Sequence, residues 1–259
     1  MPWNPDQYLR FAQARLRPAR DLLARVAIEA PRRIVDLGCG TGTMTGLLHE
    51  RWASADLTGV DSSESMLARA RAAMPAMRWI MADIGRWTPP ESPDLIVSNA
   101  ALHWLPDHPH LFPHLFGLLA PGGVLAVQMP GNFASPSHTA IAETVHEGPW
   151  RERLEPLLRP EPVAAPERYY RMLLPWADDI DIWETHYVHP LQGADPVTEW
   201  VKGAALKPFL DALDPGEAAD FESRYAARVR QAYRPLDDGT TLFPFRRLFI
   251  VARRAQAQA

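Results

Sequence analysis

Ile34-Val35-Asp36-Leu37-Gly38-Cys39-Gly40-Thr41-Gly42 is the stretch on which the fold of this chain turns. An apolar run carrying one carboxylate breaks into alternating glycines, as a strand does when it turns sharply into a helix and leaves its backbone open to a nucleotide. The spacing discriminates between nucleotides. A dinucleotide fingerprint carries glycines at G-x-G-x-x-G, the third allowing close helix–strand packing. Here the glycines fall at 38, 40 and 42, and Thr43 stands where that third glycine belongs. Asp36 puts negative charge where a pyrophosphate would approach, which suits a ligand bearing an ammonium group. A tight βα connection without a ligand is the plain alternative.

Composition narrows the setting. The chain has 259 residues, 47% hydrophobic and 22% charged, enough to bury a full core and ordinary for a globular α/β protein. A formal net charge of −4 and the absence of any basic run argue against nucleic acid as a partner. The single cysteine, Cys39, has no internal disulfide partner and sits between two glycines of the turn, so it reads as a small buried residue. Neither a basic segment followed by an apolar core at the N-terminus nor an apolar run of about 18 residues occurs, so the expectation is a cytoplasmic protein without a membrane partner. Nothing in the sequence sets the oligomeric state.

Outward from the turn, strand-like runs recur at Arg33–Leu37, Asp56–Val60, Met77–Met81, Asp94–Ser98 and Gly123–Met129. Helical periodicity separates them at Thr43–Arg51, Ser65–Ala73 and His110–Leu119, the last closed by Ala120-Pro121-Gly122-Gly123. Such alternation specifies βαβ units and a parallel sheet. Runs at Ile180–Val188 and Arg246–Ala252 bring the strands to seven. Ser135–Asp178 and Gly193–Arg234, rich in Trp, Tyr, Arg and many of the 26 prolines, read as inserts roofing the sheet edge of one domain, together with residues 1–20. The run Asp36-Leu37-Gly38-Cys39-Gly40-Thr41-Gly42 resembles motif I of the class I S-adenosylmethionine-dependent methyltransferases. That resemblance implies a three-layer, Rossmann-like seven-stranded sheet with strand seven antiparallel, a helical cap over the active-site edge, and S-adenosylmethionine as cofactor, released as S-adenosylhomocysteine.

Ligands of open α/β sheets bind outside the carboxyl ends of the strands, so residues after each strand are the candidates. Asp36, Gly38, Gly40 and Thr43 form the first end. Asp61 and Ser62 follow strand two, and Asp61, 21 residues beyond Gly40, can accept from ribose hydroxyls or cap the next helix. Asp83 after strand three can accept from the adenine amino group, with Ile84 and Met66 over the ring, or be an exposed turn aspartate. Asn99, Ala100 and Trp104 after strand four border the methionine portion. Methyltransferases of bases or amide nitrogens often carry Asn/Asp-Pro-Pro-aromatic there; Asn99-Ala100-Ala101-Leu102 instead favours an oxygen or carbon acceptor.

Further stretches resemble one family within this class: Trp3-Asn4-Pro5, Asp61-Ser62-Ser63, Trp104-Leu105-Pro106-Asp107-His108, Leu111-Phe112-Pro113-His114-Leu115, Gly123 to Pro130, and Arg247-Leu248-Phe249-Ile250-Val251-Ala252. They are similar to the trans-aconitate methyltransferase family, and the chain departs from its pattern between Glu143 and Arg168 and at Phe245-Arg246. The resemblance implies methyl transfer to one carboxylate of a small tricarboxylate. A carboxylate with a reference pKa near 4 is already ionised, so no catalytic base, triad or metal is expected. Positioning a trianion calls for arginine. Strand alternation lets only one of Arg246 and Arg247 face the ligand, and Arg247 is favoured over its alternative as a surface arginine. His103 as a polar wall, Tyr169 and Tyr170 as a closing insert or as packing, Tyr187 at the rim and Tyr8 on an N-terminal helix complete the substrate candidates. A methyltransferase for a lipophilic quinone precursor or polyketide, a non-catalytic cofactor-binding module and a dehydrogenase are the alternative readings.

Overall fold

The computed structural model describes residues 12–159 and 162–256; Tyr8 lies outside them. In chain order the elements are α1 (Ala12–Ala24), β1 (Arg33–Leu37), α2 (Thr43–Arg51), β2 (Asp56–Asp61), α3 (Glu64–Ala73), β3 (Arg78–Met81), β4 (Leu95–Asn99), α4 (His108–Leu118), β5 (Val124–Pro130), α5 (Pro136–Glu147), α6 (Arg151–Leu154), α7 (Pro166–Leu173), β6 (Ala177–Leu191), α8 (Pro196–Lys202), α9 (Lys207–Asp211), α10 (Pro215–Ala232) and β7 (Thr241–Arg254). The seven strands form one sheet in the order β3-β2-β1-β4-β5-β7-β6. Strands β1 to β5 pair in parallel and β7 runs antiparallel to β5. This is the seven-stranded arrangement anticipated from the alternation and the resemblance. Among the described residues no helix is long and apolar enough to cross a membrane.

Contacts divide the chain into two compact units. The larger comprises Arg17–Pro130, Pro162–Thr185 and Arg247–Ala259. Its central strands are buried on both faces, so β1, β4 and β5 read as continuous rather than alternating apolar runs. Ile96, Leu125, Val127, Leu248 and Ile250 pack with Phe112 and Phe116 of α4 in its core. Two side chains lock the strand order. The Asp94 carboxylate accepts from the backbone N–H groups of Arg32 (2.7 Å) and Arg33 (3.0 Å), and the Ser98 hydroxyl donates to the Leu37 carbonyl at 2.8 Å.

The smaller unit comprises Met1–Leu16, Gly131–Glu161 and His186–Arg246, and its core gathers Ile141, Val145, Trp150, Trp200, Phe221, Tyr225, Val229 and Phe243. Asp214 begins α10 in a capping box, accepting from Gly216 and Glu217 N–H while Glu217 reaches back to the Asp214 N–H. Strands β6 and β7 exceed their expected spans. The extra residues alternate buried and exposed, with Tyr187, His189, Leu191, Thr241, Phe243 and Phe245 inward and Pro190 and Pro244 outward. Pro244 is tolerated in β7 because the pairing with β5 ends at Pro130 and Arg247, so it interrupts no ladder on that side.

Pro162–Thr185 belongs with the sheet rather than with the insert that Ser135–Asp178 was expected to form. Helix α7 shows why. Tyr169 is fully buried beside Phe112, with ring centroids 4.7 Å apart. Its hydroxyl accepts from the Ala164 N–H at 3.1 Å and lies 2.7 Å from His108 Nδ1, whose Nε2 is 3.0 Å from the Leu102 carbonyl. Burial pushes the phenol up to about 12, so it stays protonated. Tyr169 is thus a core residue, and its expected place against the substrate is corrected; Tyr170, the next residue, is exposed. Replacing Tyr169 by Phe leaves the His108 ring nitrogen and the Ala164 N–H without this partner, at a cost of about 1–3 kcal/mol. At roughly 2–4 °C per kcal/mol for this size, calorimetry should record a lower Tm with an unchanged KM for substrate; a raised KM at wild-type Tm would return Tyr169 to the site.

Candidate cofactor and substrate site

The glycine turn is fixed by steric and backbone demands. Gly38 has φ +73°, and a Cβ there would lie 2.2 Å from the Cβ of Ala101. Only glycine allows β1 to turn this close to the segment after β4. Gly38 and Cys39 donate their N–H groups to the Val60 carbonyl at 2.8 and 3.1 Å, binding the turn to the end of β2. Gly40, at φ +55°, has no atom within 4 Å of where a Cβ would stand. Its surface is open. The Cys39 thiol is buried, and desolvation together with Asp36 and Asp61 raises its pKa far above the range of a reactive thiolate.

Asp36 is buried, accepts from the Thr45 hydroxyl through Oδ2 at 2.6 Å, and leaves Oδ1 without a hydrogen-bond partner among the described residues. Desolvation pushes its pKa up to about 7, assisted by the charge of Asp61 and opposed by the hydrogen bonds from Thr45. Such a group favours a nearby cation. Asp61 spans the next gap: Oδ2 accepts from the Gly40 N–H at 2.9 Å and Oδ1 from the Ser63 N–H at 2.8 Å. Each oxygen retains accepting capacity for a hydroxyl. The side-chain cap of α3 is Ser63, which accepts from Met66 N–H, so Asp61 is not needed for that role. Ser62 beside it is exposed and Met66 half-buried. Asp83 accepts from the Gly85 N–H at 2.9 Å in an exposed turn, while Ile84 is buried 3.5 Å from the Cβ position of Gly38. Thr43 opens α2 with an exposed side chain, its hydroxyl 3.2 Å from that of Thr41.

Beyond β4 the backbone is strained. Ala100 adopts φ +55°, a left-handed conformation uncommon for a residue with a Cβ, and donates its N–H to the Gln128 carbonyl at 2.9 Å. His103 is buried in the short 3₁₀ turn Leu102–Trp104, with its ring 4.7 Å from that of Trp104, which is 47% exposed.

Strand register connects these ends. Asp36 stands opposite Val97 and Val97 opposite Ala126; Asn99 stands opposite Gln128, Gln128 opposite Phe249, and Pro130 opposite Arg247. Partners in register, and residues two apart on one strand, share a face. Asp36, Asn99, Gln128 and Arg247 therefore lie on one face at the carboxyl edge of β1, β4 and β5 and the adjoining part of β7. With three strand spacings of about 4.8 Å across and four residues of about 3.3 Å along, the line spans roughly 20 Å. It begins at a carboxylate and ends at a guanidinium. Arg247 is buried and donates to Gln128 Oε1 at 3.3 Å, whereas Arg246 is exposed and donates through Nε to the Gly131 carbonyl at 2.7 Å. Tyr187 belongs to the smaller unit, buried with its ring 6.2 Å from His189.

Two residues of the site, Gln128 of this line and Thr45 beside Asp36, were not picked out from the sequence. Gln128 is a fully buried amide inside the apolar run of β5, and Thr45 is buried in the first turn of α2. The polar residue interrupting Val124-Leu125-Ala126-Val127 was the available signal. The set nonetheless fits a cofactor with an amino group and a ribose: an orphaned carboxylate oxygen, an open glycine surface and a carboxylate with spare acceptor capacity lie along two adjacent strand ends.

Residues 8–180 match the family model described as Methyltransferase domain. The trans-aconitate 2-methyltransferase of Methylobacterium radiotolerans is 47% identical over 256 residues, covering 98% of each chain, and that of Azoarcus sp. is 47% identical over 252 residues, 97% of this chain and 99% of its own. The enzyme of that name from Escherichia coli O1:K1 is 45% identical over 98% of this chain and 99% of its own. Among solved structures, the YcgJ protein of Bacillus subtilis superposes with a TM-score of 0.63 at 14% identity, covering 93% of this chain and 99% of that one. A Haemonchus contortus phosphoethanolamine N-methyltransferase 2 bound to S-adenosylhomocysteine superposes at 0.57 with 16% identity, covering 93% of this chain and 53% of that one, a likeness of fold. The chain belongs to the S-adenosylmethionine-dependent methyltransferases and, within them, to the trans-aconitate 2-methyltransferase family.

Proposed function

We propose that the protein methylates one carboxylate of trans-aconitate with S-adenosylmethionine, giving a monomethyl ester and S-adenosylhomocysteine. Near full-length identity of 45–47% to enzymes of that name carries this reading. The bound cofactor supplies a sulfonium methyl: an ionised carboxylate oxygen forms the new bond to carbon as the carbon–sulfur bond breaks, and its electron pair stays on sulfur. Oxygen gains the methyl and no proton moves, so the chain needs no general base.

What the residues supply is position and field. Asp36 attracts the amino end of the cofactor, and the open surface of Gly40 admits its approach. Asp61 takes the ribose hydroxyls and Asp83 the adenine amino group, with Ile84 and Met66 against the ring and Thr43, Ser62, Asn99, Ala100 and Trp104 bordering the rest. Arg247 takes a substrate carboxylate, with His103 and Tyr170 as further contacts. Support for this division comes from charge: the buried carboxylate suits a cation, and the buried guanidinium three strands away suits a polyanion. Fixing the reacting groups in line is worth on the order of 7–11 kcal/mol. Because a cation and an anion neutralise one another as the methyl moves, exclusion of water favours the step.

A methyl-transfer assay over di- and tricarboxylates tests the reading: turnover should be highest with trans-aconitate, and turnover confined to uncharged acceptors would contradict it. Arg247→Gln should raise KM for the acid at least about thirtyfold, since truncating one side of a buried charge pair costs roughly 2–5 kcal/mol, while cofactor affinity holds; an unchanged KM removes Arg247 from the clamp. For Asp36 the sign follows from its raised pKa. Between its ordinary value near 4 and about 7, the folded protein holds a proton that the unfolded chain has lost, so stability falls as pH rises through that window and stays lowest above it. Asp36→Asn should therefore raise Tm at pH 8, flatten the pH dependence and weaken cofactor binding about tenfold or more, at roughly 1.5–3 kcal/mol for a hydrogen bond to a charged group. In the parent protein cofactor affinity should drop as pH falls below about 7. Calorimetric titration from pH 5.5 to 8.5 reads both, and a pH-independent affinity in the parent would refute the role.

A further inference from the structure

The deepest polar side chain of the line is Gln128, fully buried in β5 between Asn99 of β4 and Phe249 of β7. Its orientation is fixed by chemistry. Arginine only donates, so the amide oxygen must face Arg247, as the 3.3 Å contact from Arg247 Nη1 to Oε1 shows. That turns the amide NH₂ the other way, where Nε2 has no acceptor among the described residues. A buried N–H without an acceptor is costly, and natural structures rarely keep one unless something satisfies it. A leucine of similar volume would fill this position in an otherwise apolar strand, so packing alone does not require an amide.

We infer that Gln128 is a specificity-determining residue for the polycarboxylate, which rests on the function proposed above. Through Oε1 it orients the Arg247 guanidinium, which holds one carboxylate, and through Nε2, on the other side of the amide, it donates to a neighbouring carboxylate oxygen of the same acid. The amide suits this task because it is neutral. A glutamate in its place would accept from Arg247 equally well but would put a negative charge at the acid's binding position and repel the substrate. The arrangement thus selects for an anion at the β7 end of the line while leaving the Asp36 end to the cofactor.

The test compares Gln128→Glu and Gln128→Leu with the parent protein. Acid KM and kcat are measured by methyl transfer, trans-aconitate Kd by calorimetry with S-adenosylhomocysteine present, and stability by Tm. Gln128→Glu should keep or raise Tm, through its ion pair with Arg247, while raising KM and Kd for trans-aconitate at least about a hundredfold. Gln128→Leu should raise them about tenfold, with kcat at saturation within about threefold and cofactor affinity unchanged in both. A merely structural Gln128 would move Tm and leave the acid constants together with the parent's. Wild-type acid affinity in a folded Gln128→Glu or Gln128→Leu protein overturns the inference alone. A parent protein that neither methylates nor binds trans-aconitate overturns the proposed function and this inference with it.

Discussion

A carboxylate held out of water at the end of β1 sets the terms for the rest of the site. Asp36 is anchored by Thr45 from the first turn of α2, and its other oxygen finds nothing to accept from among the described residues. Burying a charge without a counter-charge is strongly unfavourable, and the carboxyl responds by holding its proton to about pH 7. The fold tolerates this because the strand end that carries Asp36 also carries the glycine turn. Gly38 brings that turn against Ala101, closer than any residue with a Cβ could approach, and Gly40 leaves its surface open. The group that would relieve Asp36 and the group that would fill the open surface belong to one molecule.

From that constraint the polarity of the sheet edge follows. Three strand steps away on the same face, Arg247 is buried with Gln128 as a neutral partner. Two unlike charges placed at opposite ends of one buried edge, three strands and four residues apart, are too distant to pair with each other directly. In the proposed reading a cofactor with an amino group meets the first end and a polyanionic acceptor the second, with the reacting atoms between. Neither end needs to move a proton.

How much of this was legible in the sequence depended on whether a residue's role was local. The glycine spacing, the carboxylate before it and Asp61 after β2 are local patterns with local causes, and the strand alternation around them, with the resemblance, gave a seven-stranded sheet with strand seven antiparallel. Tyr169 could not be read that way, because Tyr-Tyr at a helix start looks the same whether the first ring faces a pocket or a core; the partners that decide it, His108 and Phe112, lie about 60 residues away. Strands β6 and β7 run beyond the apolar runs Ile180–Val188 and Arg246–Ala252, because their added residues alternate buried with exposed, Pro190 and Pro244 among the exposed ones. Gln128 was missed for the opposite reason: the apolar run around it is so regular that a single amide looked incidental, and its meaning appears only when β7 brings Arg247 alongside.

The central claim is one of polarity, and a structure of the ternary complex with S-adenosylhomocysteine and trans-aconitate tests it most directly. The account predicts the amino group of the homocysteine on the Asp36 side of the line, directly or through one water, and a carboxylate of the acid on Arg247 and Gln128. An acid bound away from Arg247, or a cofactor turned with its amino group toward the arginine, would contradict it.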